Sequence, residues 1–304
     1  MRELSFLLLI TSSCLFMACK PSANKTQSPD TQIQNLHQDS VPSSPQLKFH
    51  PFDRTAIVEK LRQKINDHTP LIVHAFVPLC DNEHQGIVPV NEQLGDGFNL
   101  QTNLYWGAKY GVKTHFKNLQ SWQLIYSEKD PTDKVLERVV FAKEYTKNRK
   151  VYLIADAYQG DSMEECLAGF FMALSGEKAG NITIEKEIIE GYNKADLLVF
   201  NGHNGLMDVA IPTFYNRDSI YKDAIIIACE SNSYFSERLN YVKAFPVLTT
   251  TNLLAPEAYV LAAAVDHWAN LNTGKSFEKE AGAAYNQFQN CGLKGATRLF
   301  KNGW

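Results

Sequence analysis

Two residues that can carry nucleophilic catalysis, His203 and Cys229, each follow a short hydrophobic run in this 304-residue chain. The first run is DLLVFN, followed by Gly202 and His203, and the second is AIIIA, followed directly by Cys229. A thiolate is a strong nucleophile, and a neighbouring imidazole can take the thiol proton and later protonate a leaving amine. The two residues therefore predict a catalytic dyad if the fold brings them together.

Both runs have the composition of buried parallel strands, because they are short, apolar and rich in β-branched residues. In an open α/β sheet the carboxyl ends of neighbouring strands lie side by side, and ligands bind at that edge. We therefore expect His203 and Cys229 to meet at one edge of a sheet.

A helix is predicted to begin at Ser231, just after Cys229. The positive end of a helix favours a thiolate, and backbone N–H groups near Cys229 and Asn204 are expected to stabilise an oxyanion. Gly202 and Gly205 flank the histidine and would let a substrate backbone approach closely. The candidate substrate-binding residues at this edge are therefore Gly202, Asn204, Gly205 and Glu230.

These features resemble the caspase, gingipain, legumain and separase superfamily of cysteine peptidases. In that superfamily a strand ending in Gly-His lies beside a strand ending in Ala-Cys. The stretch 195–203 is the best match, and Ala228-Cys229 is similar to the Ala-Cys of caspases. The resemblance implies a caspase-like α/β sandwich and a cysteine peptidase in which Cys229 is the nucleophile and His203 is the acid and base.

In the same superfamily, the end of the first strand helps to form the pocket for the substrate residue before the scissile bond. Here Asp81 and Asn82 follow the predicted strand 71–79, and an acid at Asp81 would suggest a basic substrate residue. Ordinary turn chemistry is the alternative reading of an Asp-Asn pair. The chain also resembles uncharacterised bacterial lipoproteins in the strings at 85–90, 103–108 and 255–259, which imply no activity.

Two departures from the superfamily pattern favour a different function. Asn204 stands where a glycine usually follows the histidine, and Glu230 places a negative charge beside the thiol. The alternative is a non-catalytic surface protein that binds a peptide, a glycan or a protein partner. Cys80, with His84 or His74 nearby, is a rival nucleophile without a helix after it. A metal site at His84, His203, Asp81 and Asp208 is a further alternative, although its spacing is not diagnostic.

The element pattern predicts an α/β fold, a three-layer sandwich with a mostly parallel sheet of about six strands. The predicted strands cover residues 71–79, 122–126, 150–155, 196–201, 224–228 and 246–250. The predicted helices cover residues 57–66, 104–116, 130–145, 161–174, 231–241, 257–270 and 277–289. The glycine-rich segment 80–103 is expected to be a shaped loop at the site, and residues 181–193 are ambiguous.

The N-terminal region predicts export. Residues 1–18 have the pattern of a lipoprotein signal peptide, with Cys19 as the lipidated residue and Cys14 as a weaker second candidate. An ordinary cleaved signal peptide or a retained membrane anchor is the alternative. Residues 19–48 are rich in Ser, Pro and Gln and predict a disordered tether to the membrane. Residues 49–304 then form a single domain. We expect a lipid-anchored protein of the bacterial cell envelope, facing the periplasm or the cell exterior.

The composition and motifs of the chain limit the classes of partner that it is expected to bind. The net charge is −3, with acids and bases interspersed, which argues against a nucleic-acid partner. The chain has no glycine-rich nucleotide-binding motif and no paired-cysteine metal motif, so no cofactor and no metal are predicted. A peptide or protein substrate is the partner that the dyad implies.

Overall fold

The computed structural model describes residues 49–304, which form an α/β structure around one large sheet. The predictions for residues 1–18, for the tether 19–48 and for Cys19 lie outside the described residues. The strands are β1 Leu71–Pro78, β2 Gln123–Thr132, β3 Val135–Thr146, β4 Arg149–Tyr158, β5 Asn181–Ile184, β6 Glu187–Glu190, β7 Leu197–Asn201, β8 Lys222–Ile227, β9 Ala244–Thr250 and β10 Phe300–Lys301. The helices are α1 Thr55–Asn66, α2 Val112–Asn118, α3 Met163–Ser175, α4 Ser231–Tyr241, α5 Ala258–Ala269, α6 Ser276–Gln289 and α7 Leu293–Arg298.

The central sheet has eight strands in the order β10-β9-β8-β7-β1-β4-β3-β2. Strands β4, β1, β7, β8 and β9 run parallel, while β2, β3 and β10 are antiparallel to their neighbours. The prediction of an α/β fold with a mostly parallel sheet is therefore confirmed. The prediction of about six strands is wrong, because the sheet has additional antiparallel strands at its two ends.

Residues 130–145 were predicted to form a helix, but this prediction is wrong, because they form most of a β-hairpin. Pro131 suggested the first turn of a helix, but it lies in an irregular stretch at the tip of β2. Val139, Val140 and Phe141 of β3 are all buried, with Val140 in one apolar cluster and the other two in the opposite one. A strand buried on both faces has no alternating pattern, which is why the strand was missed.

Helices cover both faces of the sheet and produce three layers. One apolar cluster packs α1, α2, α5 and α6 against one face, and a second packs α3 and α4 against the other. Every residue of β1, β7, β8 and β9 is buried, as expected for strands covered on both sides. No helix within residues 49–304 has both the length and the apolar character needed to cross a bilayer.

Two other segments differ from expectation. Of residues 104–116, only the part from Val112 onward is helical, and the preceding residues form turns. The ambiguous residues 181–193 form the hairpin of β5 and β6, followed by the start of a 3₁₀ turn at Tyr192–Lys194.

A buried ionic network stabilises the middle of the sheet. Arg138 on β3 donates to Asp156 on β4 through Nε at 2.6 Å and Nη2 at 2.7 Å. Asp156 Oδ2 also lies 3.1 Å from His74 Nε2, and His74 Nδ1 accepts the backbone N–H of Tyr192 at 2.9 Å. His74 and Asp156 are fully buried. The network therefore holds His74 as a neutral imidazole with its proton on Nε2.

This histidine is expected to make the protein less stable in mild acid. Burial lowers the pKa of His74, although Asp156 opposes the shift. The unfolded chain binds a proton at His74 below about pH 6.5, whereas the folded protein does not until a lower pH. The stability contributed by neutral His74 is thus present above about pH 6.5 and lost as the pH falls.

Urea unfolding at about pH 7, 6 and 5 measures this effect. His74 is expected to contribute a loss of up to about 1.4 kcal/mol in the free energy of unfolding per pH unit below its unfolded pKa. The variant His74→Gln keeps a donor and an acceptor but cannot titrate, so its acid-side slope is expected to be shallower. Equal slopes in the two proteins would contradict the assignment.

Candidate active site at the carboxyl edge of the sheet

The strand order reverses between β1 and β7, so a crevice is expected at the carboxyl ends of these two strands. From β1 the chain continues to strands on one side of it, whereas β7 and its successors β8 and β9 lie on the other side. Ligands of open α/β sheets bind at such a reversal of strand order. The loops at this edge are 79–111 after β1, 202–221 after β7, 228–230 after β8 and 251–257 after β9.

His203 lies two residues beyond β7 and is almost fully buried. The Gly202 N–H donates to Ile227 O at 3.1 Å, which continues the β7–β8 pairing and holds the histidine next to the end of β8. His203 Nε2 lies 2.6 Å from Asp208 Oδ2. A short 3₁₀ turn at Gly205–Met207 returns the chain so that this aspartate can reach the imidazole.

The sequence suggested Asp208 only as a metal ligand, whereas the structure pairs it with His203. Its Oδ2 accepts the His203 Nε2–H and also the Gly86 N–H at 2.9 Å. Burial opposes ionisation of Asp208, but these hydrogen bonds outweigh it and lower its pKa. An ionised carboxylate accepts only, so His203 Nε2 carries a proton and Nδ1 is the nitrogen that remains to take up or release another. In the sequence, the signal for this pair is an acidic residue five positions after the histidine.

Cys229 lies two residues beyond β8, at the same edge as His203. Its Sγ donates to Leu254 O at 3.6 Å, and its side chain is largely buried. Asn204 Nδ2 donates to Cys229 O at 2.6 Å, which joins the histidine loop to the cysteine loop. The structure thus brings the segments of His203 and Cys229 together, as predicted from the two strand ends.

Glu230 forms the turn between Cys229 and α4. Its φ is 49° and its ψ is 28°, a left-handed conformation that costs a non-glycine residue about 1–3 kcal/mol. Its N–H donates to Asn252 O, and the Ser231 N–H donates to Ala228 O and to Thr250 Oγ1. These two N–H groups near the thiol are therefore engaged by the protein.

Gly202 and Gly205 have tight surroundings within the protein. A Cβ at Gly205 would lie 2.2 Å from Met163 Cγ, and one at Gly202 would lie 3.0 Å from Pro78 Cγ. Their missing side chains let the histidine loop pack against α3 and the end of β1. Packing alone accounts for both glycines.

Asp81 and Asn82 shape the loop 79–111. Asp81 Oδ1 accepts the N–H groups of Glu83 and His84, and its Oδ2 lies 3.0 Å from His84 Nδ1. Asn82 pairs its side-chain amide with both backbone polar groups of Val90. The loop contacts the site through Gly86, whose N–H donates to Asp208, the hydrogen-bond partner of His203.

The rival nucleophile Cys80 is in an environment that suppresses its reactivity. Burial raises the pKa of the Cys80 thiol to about 12. His74, one of its two candidate partners, belongs to the buried network in the middle of the sheet. Among residues 49–304, Cys80, Cys166, Cys229 and Cys291 form no disulfide with one another, and Cys291 is exposed. A thiol that stays protonated near neutral pH is a poor nucleophile.

The four residues weighed as metal ligands fall into two separate pairs, His84 with Asp81 and His203 with Asp208. Between residues 49 and 304, no group of three His, Cys, Asp or Glu side chains is arranged to hold a metal ion.

No family model, no curated protein and no solved structure matches the chain.

Proposed function

We propose that this chain is a cysteine hydrolase, of the peptidase type, that acts at the bacterial cell envelope from a lipid anchor. The observation that carries the proposal is the His203–Asp208 pair at the end of β7, tied through Asn204 to the backbone of Cys229 at the end of β8. The resemblance to the caspase and gingipain superfamily supports it, since that superfamily also places its histidine and cysteine on adjacent strands.

In the proposed reaction, Cys229 Sγ attacks the carbonyl carbon of a peptide bond. His203 Nδ1 takes the thiol proton and gives it to the leaving amine as the C–N bond breaks. Water then attacks the thioester, with His203 as general base, and releases the acid and the thiol. Asp208 holds the imidazole in the required tautomer and stabilises the imidazolium that forms.

The pH profile of alkylation tests this proposal. Iodoacetamide labelling of Cys229 is followed by peptide mass spectrometry from about pH 5 to 9, in a Cys291→Ala background that removes the exposed thiol. An activated Cys229 labels rapidly near neutral pH and is slowed by His203→Ala. Labelling that rises only near the ordinary thiol pKa of about 8.5, with no effect of His203→Ala, would exclude the dyad.

Asp208→Asn is expected to reduce peptide hydrolysis about 10²-fold or more, because an amide no longer enforces the tautomer of His203. Hydrolysis of a library of peptidyl coumarin amides measures the effect. Asp218→Asn is the matched control, since Asp218 is a similarly exposed acid that pairs with Lys222 far from the dyad. Equal rates in the two variants would remove Asp208 from the proposed machinery.

The second candidate function is a non-catalytic binding protein that uses the same crevice. The observation that favours it is that two backbone N–H groups next to Cys229 are engaged by carbonyl oxygens of the protein. On this reading Cys229 is a small apolar residue of the wall. The alkylation profile distinguishes the two functions, because only the hydrolase needs an activated thiol.

A further inference from the structure

The segment 251–257, which connects β9 to α5, forms one wall of the site. Its residues belong to neither a helix nor a strand. Leu254 O accepts the Cys229 thiol at 3.6 Å, and Asn252 O accepts the Glu230 N–H at 3.1 Å. The wall therefore engages both the nucleophile and the N–H group of the residue after it.

A third carbonyl of the wall binds at the end of the neighbouring strand. Pro256 O accepts the Nδ2–H of Asn201, the last residue of β7, at 2.9 Å. The accepting carbonyls thus belong to alternate residues, 252, 254 and 256. A period of two is the repeat of an extended backbone. The wall therefore contacts the site with the spacing of an extended peptide main chain.

The nucleophile and its base are both covered in this structure. Cys229 is 6% exposed and His203 is 2% exposed. A peptide carbonyl carbon must come within about 3–3.5 Å of the sulfur before it can be attacked. A reaction at Cys229 therefore requires a neighbouring segment to move, and the wall is the segment whose carbonyl holds the thiol.

The wall is anchored at its two ends. The N–H groups of Thr251 and Ala258 each donate to a backbone carbonyl of a neighbouring segment at 2.8 Å. Between these ends, Tyr285 Oη on α6 accepts the Ala255 N–H at 3.2 Å, and Asn252 is exposed. Partly exposed segments outside helices and strands open at a lower free energy than the core does. The middle of the wall can therefore move while its ends stay in place.

The groups that face the wall match a peptide main chain. When the wall moves, the Glu230 N–H and the Asn201 Nδ2–H lose their carbonyl acceptors. Asn201 Oδ1 and Asn204 Oδ1 are buried acceptors that receive no hydrogen bond from residues 49–304. Each residue of a peptide, proline excepted, carries one main-chain donor and one acceptor, so a peptide can satisfy both kinds of group.

We infer that the wall 251–257 is a lid that is closed over the site in this structure and opens to admit a peptide main chain. This inference rests on the proposed function for the identity of the peptide as a substrate. Opening releases the thiol and the Glu230 N–H together, because the same segment holds both.

Alkylation of the folded full chain at about pH 9 tests the lid. At this pH an ordinary thiol, with a pKa of about 8.5, is mostly ionised, so the labelling rate reports access rather than activation. Iodoacetamide labelling of each cysteine is followed by peptide mass spectrometry. Cys229 is expected to label about 10- to 10³-fold more slowly than N-acetylcysteine amide, because a minor open state is populated at about 0.1–10%.

The dependence of labelling on urea separates local opening from global unfolding. Below the unfolding transition the labelling rate of Cys229 is expected to change little, because a local opening exposes little surface. Cys166, which is fully buried on α3, is the internal reference. It is expected to label only through global unfolding, at a rate that rises steeply with urea.

Tyr285→Phe removes the acceptor of the Ala255 N–H and is expected to speed the labelling of Cys229 by about threefold to tenfold, the effect of one hydrogen bond. A similar increase is expected in kcat/KM for a peptidyl coumarin amide, because the open fraction limits binding. Tyr152→Phe is the matched control and is expected to change neither rate. Tyr152 also loses a hydroxyl contact, with Glu187, but it packs on the face of the sheet opposite to Tyr285.

Three labelling results would overturn the inference: a Cys229 as reactive as N-acetylcysteine amide, a Cys229 with the urea dependence of Cys166, or a Tyr285→Phe effect no larger than that of Tyr152→Phe. Hydrolysis that stays constant while labelling accelerates would also overturn it. These failures are distinct from that of the proposed function, which the pH profile of alkylation decides. A lid over an unactivated Cys229 leaves a binding protein, whereas an activated Cys229 without the lid leaves a hydrolase whose site is opened by another segment.

Discussion

Cys229→Ala is expected to reduce hydrolysis of peptidyl coumarin amides by at least about 10³-fold, because the proposed mechanism forms its acyl intermediate on this thiol. The variant is also expected to lose the adduct with a peptidyl acyloxymethylketone, as measured by intact-protein mass spectrometry. Alanine removes the thiol and little volume from a largely buried position, so the fold is expected to persist. Undiminished hydrolysis by the variant would disprove the assignment of the nucleophile.

Cys80→Ala is the matched control for this experiment. Cys80 also follows a buried strand of the sheet, β1, but burial holds the pKa of its thiol at about 12. Hydrolysis and probe labelling are therefore expected to remain within about twofold of the parent protein. Loss of activity in this variant instead of in Cys229→Ala would move the nucleophile to the end of β1.

The second large effect concerns stability. Arg138→Met is expected to lower the free energy of unfolding by about 3–5 kcal/mol, because it leaves Asp156 buried without its strongest partner. Arg138 provides two short hydrogen bonds to Asp156 and a third to Tyr192 Oη at 2.5 Å. Methionine fills similar space without a charge, so the measured loss reports the broken ion pair more than a cavity.

Urea denaturation followed by circular dichroism measures this loss. Arg62→Met is the control, because Arg62 pairs with Glu59 on the exposed side of α1. Exposed pairs contribute little, and the control is expected to change the free energy of unfolding by no more than about 0.5 kcal/mol. If Arg138→Met lowered the free energy of unfolding by no more than the control does, His74 alone would be shown to hold Asp156 in place.

The parallel part of the fold could be predicted because its signals are local. The runs that became β1, β7 and β8 are uninterrupted apolar segments, which is the composition of strands buried on both faces. The placement of the His203 and Cys229 segments at one edge followed from the same signal, because adjacent parallel strands share a carboxyl edge.

Other features depend on contacts between distant segments. The β2–β3 hairpin carries a proline and no clear alternation, and its strand character comes from pairing with β4. The bond between Gly86 and Asp208 joins residues from two loops, so the sequence around either one does not indicate it. The hydrogen bond from the Cys229 thiol to Leu254 O likewise forms only when the loop after β9 covers the end of β8.

The strand order also determines when the edge that carries His203 and Cys229 can form. Strand β1 pairs with β4 on one side and with β7 on the other, and Val73 faces Leu197, more than 100 residues later in the chain. Contacts over such separations require large loops to close and form slowly. A chain that emerges from its N-terminus can pair β1 with β4 early, but it lacks the wall around Cys229 until β9 and the following loop have emerged. The hydrogen bond from Asn204 to the backbone of Cys229, and the wall formed by residues 251–257, are therefore expected to form only after residues 244–257 have emerged.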